Sequence, residues 1–182
     1  MTSYTVRCAA RSLSPKLSTG PDCIPAFFIK AVMPALSFPL SLLFQWSLDT
    51  SYCPPSYKTS IVKPVWKRKK SKTSVSSYRP ISLLSAIPKL HEKIVVDLIL
   101  KHCQRRNLLS ESQFGFLPGR SVTCQLLLCL NDWSRSVRNM RPCYVMYSDF
   151  SSAFQRVEHS KLLIKLKAFG TSSSCPLDIS WC

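Results

Sequence analysis

Acidic side chains are scarce in this chain of 182 residues: nine Asp and Glu stand against 25 Lys and Arg, a formal charge of +16 at pH 7. Such an excess points to a polyanionic partner before an acidic protein surface, and nucleic acid is the first expectation. The shortage is also local. No acid occurs between Thr50 and His91, a span that holds Lys58, Lys63, Lys67, Arg68, Lys69, Lys70, Lys72, Arg79 and Lys89. Binding through it should depend strongly on salt, because each phosphate met releases counterions. Other absences narrow the class further. The nine cysteines are odd in number and never spaced C-x-x-C, which argues against a zinc site. The first dozen residues are polar and basic and show no secretory leader, so free thiols in a reducing nuclear or cytoplasmic setting are expected. No apolar run is long enough to cross a bilayer; the longest, Leu36 to Leu48, is interrupted by Ser, Pro39 and Gln45 and reads as a core helix. Internal repeats are absent. What is present is a 46% hydrophobic composition, sufficient for one globular unit.

Periodicity predicts an α+β chain. A short amphipathic helix carries Val6, Cys8, Ala9, Ala10 and Leu13, ending by Pro15 and the turn at Gly20-Pro21-Asp22. Helical spacing returns from about Pro25 to Leu48, with Pro34 and Pro39 expected to break it. Ile61 to Trp66 and Tyr78 to Leu84 read as strands of a hairpin that pushes Lys67 to Lys72 into solvent. Leu90, Ile94 and Leu98 recur at helical spacing, while Lys93, Asp97 and Lys101 form an outward i,i+4 ladder. Ser121 suits the N-cap of a helix striped by Leu126, Leu127, Leu130, Trp133 and Val137. Lys161 to Phe169 is helical with Gly170 as its C′ residue, and the tail from Thr171 has little periodicity.

One acid stands apart. Cys143 to Tyr147 reads as a strand that runs into Asp149, with Cys143, Val145, Tyr147 and Asp149 on one face. A carboxylate beside buried apolar residues needs a partner or a metal, although an aspartate that only caps a turn would look the same at this point.

Five segments in order carry a resemblance: Gly20-Pro21-Asp22-Cys23-Ile24-Pro25, Ile61 to Lys70, Tyr78-Arg79-Pro80-Ile81-Ser82-Leu83-Leu84, Gln113 to Arg120, and Ser148 to His159. With these the chain resembles the reverse transcriptases of non-LTR, LINE-like retrotransposons, from about residue 5 to Gly170. The resemblance implies a right-hand polymerase fold, of which residues 1–170 would hold the fingers and the first part of the palm, truncated, with 171–182 a divergent tail. It also implies RNA-directed DNA polymerase chemistry: transfer of a deoxynucleotide onto a DNA primer along an RNA template, with Mg²⁺ held by carboxylates.

By the same resemblance Asp149 is the first catalytic aspartate and a metal ligand, with the Phe150 carbonyl as a backbone ligand. Phe154 falls where an aromatic ring excludes a 2′-hydroxyl; core packing is its alternative role. Arg79 matches the arginine that holds the incoming triphosphate, with Lys67 and Arg68 beside it. Lys69 and Lys70 are nucleic-acid candidates or simply a solvated charge run. Gln113, Gly115, Gly119 and Arg120 resemble the loop that approaches the template, where the glycines would equally serve turn-making and Arg120 could be an exposed charge.

Departures from the family matter as much. No Asp-Asp pair occurs anywhere, so the family's second catalytic segment is missing, as is its downstream Gln-Gly segment. A lone Asp149 would bind magnesium weakly and with most of its waters retained, and a fragment inactive by itself is expected. Cys23 replaces a usual glycine and Gln155 a usual aspartate. The alternative is a non-enzymatic basic module that binds RNA or DNA through the surface from Lys58 to Arg79.

Overall fold

The structure is a computed structural model that describes residues 1–14, 17–68 and 71–171. Pro15, Lys69, Lys70 and the tail beyond Thr171 lie outside the described residues. Those residues gather into two compact units, where composition suggested one: residues 1–102 with the described part of 159–182, and residues 103–158.

In the first unit, Thr2 opens helix α1 (Ser3–Ala10), its hydroxyl accepting from the Thr5 amide at 3.2 Å. Val6 and Ala10, one turn apart, are its buried face. The chain then reverses at Gly20-Pro21-Asp22-Cys23, where the Cys23 amide donates to the Gly20 carbonyl at 3.1 Å and the Ile24 amide to Asp22 Oδ1 at 3.2 Å. Cys23 sits at φ +56°, left-handed backbone that suits glycine. Cys23→Gly should therefore stabilise the chain by about 1 kcal/mol, read as a higher urea midpoint at unchanged slope.

Helices α2 (Ala26–Ala31) and α3 (Met33–Thr50) are separated at Val32, and Pro34 occupies the first turn of α3, where no intrahelical N–H is needed. Pro34 thus marks the expected break. Pro39 does not: it lies inside α3. The residue is on the exposed side, so the Ala35 carbonyl it leaves without a helical donor can be hydrated, while Met33, Leu40 and Phe44 hold the opposite side in the core.

The core joins Val6, Ala10 and Leu13 to Ile29, Met33, Leu40, Phe44 and Tyr57, and to Ala86, Leu90 and Ile94 of α4 (Ala86–Arg105). Burying a ring such as Phe44 contributes roughly 2–3 kcal/mol. His91 is enclosed with it. Its ring stacks on Phe44 at 4.6 Å and 6°, and Tyr57 meets it edge-on at 6.0 Å. Burial lowers the His91 pKa to about 4 and, with Cys53 adding to it, raises that of Tyr57 to about 12. On the outer side of α4 the ladder is present where Lys93 meets Asp97 at 2.6 Å, an exposed pair worth well under about 1 kcal/mol.

Strands β1 (Ile61–Trp66) and β2 (Tyr78–Leu83) form an antiparallel hairpin running from Ile61 opposite Leu83 to Trp66 opposite Tyr78. Pro64 stands opposite Pro80. Because the Lys67 amide donates to Ser77, the ladder's alternation makes 64 and 80 a pair whose amide positions point outward, so neither proline breaks a bond. Helix α6 (His159–Ala168) ends as expected at Gly170, φ +75°. Gly170 and Thr171 donate back to the carbonyls of Lys167 and Leu166 at 2.9 and 3.2 Å, and His102 Nε2 donates to the Phe169 carbonyl at 2.9 Å.

The second unit is built around α5 (Val122–Arg138). Ser121 caps it, accepting from the Cys124 amide at 3.1 Å, worth about 1 kcal/mol. Its apolar stripe is in place, but Leu126, Leu127, Leu130 and Val137 are exposed. Residues 141–150, including Cys143 to Tyr147, form no strand. That corrects the sequence expectation. A strand exists only through a neighbour's hydrogen bonds, and among the described residues none lies alongside. No helix among the described residues is long and apolar enough to cross a membrane.

Candidate functional site

Register brings part of the expected nucleotide site together on the hairpin. Val65 pairs with Arg79 and Lys63 with Ile81, so side-chain alternation puts Lys63, Arg79 and, one step beyond the strand, Lys67 on one face. Arg79 is exposed, and no hydrogen bond or ion pair holds its guanidinium among the described residues. Lys67 is half-buried and braces the tip: its ammonium donates to the Ser76 carbonyl at 2.8 Å. Arg68 turns at φ +58° and is exposed. Lys72 lies 5.0 Å from the Trp66 ring centre, a cation–π contact that draws the tip back onto the strand. Lys63, named in the sequence only as part of the basic span, joins the nucleotide-site candidates on this face. Its spacing of four from Lys67 within a strand pattern carried the signal.

The remaining candidates lie in the second unit. Gln113 Nε2 donates to the Gly115 carbonyl at 3.2 Å, Gly119 takes φ +77°, and open space surrounds the Cα of both glycines. Gly119 therefore answers a conformational need. Arg120 Nη1 donates to the carbonyls of Ser110 at 3.2 Å, Gln113 at 2.7 Å and Glu111. Phe154, in a single 3₁₀ turn (Phe154–Arg156), is 79% exposed, so it is not a core residue. Its ring meets that of Phe116 edge-on, centroids 6.0 Å apart. The structure thus joins the Gln113–Arg120 loop to the segment after Asp149 through Phe116, a residue the sequence reading did not single out.

Asp149 and Phe150 are exposed and lie in neither helix nor strand. The charge expected beside a buried strand is solvated instead, and it makes no ion pair among the described residues. A caged divalent ion needs several oxygen donors around one point. Among the described residues no group of three His, Cys, Asp or Glu side chains could hold one. Asp149 and the Phe150 carbonyl alone do not fit a two-metal cage.

Comparison with known proteins supplies the context. A profile of the family described as Reverse transcriptase (RNA-dependent DNA polymerase) matches residues 67–181. The "RNA-directed DNA polymerase from mobile element jockey" of Drosophila melanogaster is 32% identical over 133 residues, 73% of this chain and 14% of that protein. The "Probable RNA-directed DNA polymerase from transposon BS" of the same fly is 30% identical over 159 residues, 87% of this chain and 18% of the relative. The jockey polymerase of Drosophila funebris is 28% identical over 156 residues, 86% of this chain and 17% of its own length. The chain spans less than a fifth of each of these relatives. With the family profile matched over residues 67–181 and relatives 30–32% identical over most of its length, the chain belongs to the reverse transcriptase family, of the non-LTR retrotransposon kind.

Proposed function

We propose that this chain carries the nucleotide-facing and template-facing part of an RNA-directed DNA polymerase, the fingers and opening palm, and that these 182 residues alone do not extend a primer. The observation that carries the first half is the register that lines Lys63, Lys67 and Arg79 along one face of an acid-free hairpin. A permanently charged, forked guanidinium on a strand is suited to a triphosphate, with the two lysines adding point charges beside it. Phe154 faces the sugar, and the loop from Gln113 to Arg120 faces the template strand, which an RNA–DNA hybrid would occupy. The second half rests on the donor set. Asp149 is a single exposed carboxylate with no acidic neighbour in sequence, so Mg²⁺ would keep most of its waters there.

Displacement of a fluorescent deoxynucleoside triphosphate tests the reading. Arg79→Ala should weaken binding about tenfold or more, the worth of a charge-assisted hydrogen bond. Equal affinity of variant and parent would remove Arg79 from the site. With primer, RNA template, triphosphates and Mg²⁺ or Mn²⁺, no product is expected; extension abolished by Asp149→Asn would refute the inactivity.

A further inference from the structure

The Arg120 guanidinium turns inward onto its own loop. One nitrogen serves the carbonyls of Ser110, Glu111 and Gln113, and Cζ lies 5.6 Å from the Phe114 ring centre. With Nη1 serving three carbonyls and the guanidinium near a ring face, the residue braces its own loop, although it is cationic and at the surface. The turn it ties together delivers Phe116 at φ +61°, a conformation an aromatic residue holds only when its surroundings impose it. Phe116 and Phe154 are 86% and 79% exposed, yet their rings meet at 86°. This is not core packing. Two exposed rings meet edge to face, and the anchor of one of them is the Arg120 turn.

We propose that Arg120 is a positioning residue: by clamping the 110–116 turn it sets Phe116 against Phe154 and so fixes the ring that faces the incoming sugar. The inference rests on the sugar-facing reading of Phe154 given above. Arg120 itself touches neither nucleotide nor template.

The test uses the full chain labelled with 4-fluorophenylalanine, the ¹⁹F signals of residues 116 and 154 being assigned from Phe116→Leu and Phe154→Leu. Arg120→Ala should move the Phe154 signal to its position in Phe116→Leu. Arg120→Lys should move it less, because a single ammonium can still donate to the carbonyls but is shorter and has no plane to lay against Phe114. A Phe154 signal unmoved by both Arg120 variants, or unmoved by Phe116→Leu, overturns the clamp. Binding of an RNA–DNA hybrid across salt supplies a second readout. The clamp leaves the slope of log K against log salt unchanged in Arg120→Ala, whereas a phosphate contact would lower it by about 0.9 and overturn the proposal. Should the parent chain bind neither triphosphate nor hybrid, the functional reading fails, and the fluorine comparison still decides whether Arg120 sets the ring pair.

Discussion

Gly20→Ala is expected to cost roughly 2–3 kcal/mol, enough to unfold much of a marginally stable chain. A β-carbon on Gly20 would stand 2.4 Å from the Ser85 amide nitrogen, 2.6 Å from its Cα and 2.7 Å from the Leu84 carbonyl carbon. All three are backbone atoms. A flexible side chain could swing aside, but here either the Gly20–Cys23 turn or the junction of β2 with α4 must move. That junction sets where the hairpin leaves the core, so strain at Gly20 reaches the strand that carries Arg79. Gly115 supplies the control, since an added β-carbon there meets nothing within 4 Å. Gly115→Ala should change stability by less than about 0.5 kcal/mol. Urea midpoints of the two variants check the contrast, and similar midpoints would show that the turn does not press on Ser85.

Acid should weaken the chain through His91 well before most carboxylates titrate. The ring is 1% exposed between Phe44 and Tyr57, and burial holds its pKa near about 4 against the ordinary 6.5. Between those values the unfolded chain binds the proton more tightly than the folded one. Stability from the neutral ring is therefore complete above about pH 6.5 and falls by up to about 1.4 kcal/mol per pH unit toward pH 4, roughly 3 kcal/mol in all. Glu92 acts in the opposite sense. Burial raises its pKa, Lys89 pulling part of the way back, so its protonation in the folded chain offsets some of the loss. His91→Phe keeps a flat ring against Phe44 and removes the titration. Tm against pH should be flatter for this variant between pH 6.5 and 4; parallel curves would mean that His91 is protonated as readily in the fold as outside it.

Local chemistry was legible where a short run of residues decides the outcome. The runs Ile61–Trp66 and Tyr78–Leu83, with the basic turn between them, gave the hairpin to within a residue, Ser121 capped its helix, and Gly170 took the left-handed position. Long-range consequences were not. Cys143 to Tyr147 has strand composition but no described neighbour to pair with, so composition alone could not make it a strand. Pro39 reads as a breaker, yet the packing of Met33, Leu40 and Phe44 outweighs one lost hydrogen bond on the solvent side of α3. Cys23, which stands where the family has a glycine, occupies a left-handed position, because the Gly20–Pro25 reversal fixes the backbone there. The site divides the same way. The charge and exposure of Arg79 follow from its place on a strand, whereas the inward bonds of Arg120 and the meeting of Phe116 with Phe154 depend on how a loop folds back on itself.

The central claim, a hairpin face that meets the triphosphate, is tested most directly by titrating a fluorescent deoxynucleoside triphosphate into the intact chain from low to moderate salt. Lys63, Lys67 and Arg79 on one face predict binding that weakens as salt rises, and Lys63→Ala with Arg79→Ala should weaken it about tenfold or more at the lowest salt. Absence of binding at the lowest salt, or an affinity untouched by removing those two charges, would contradict the account.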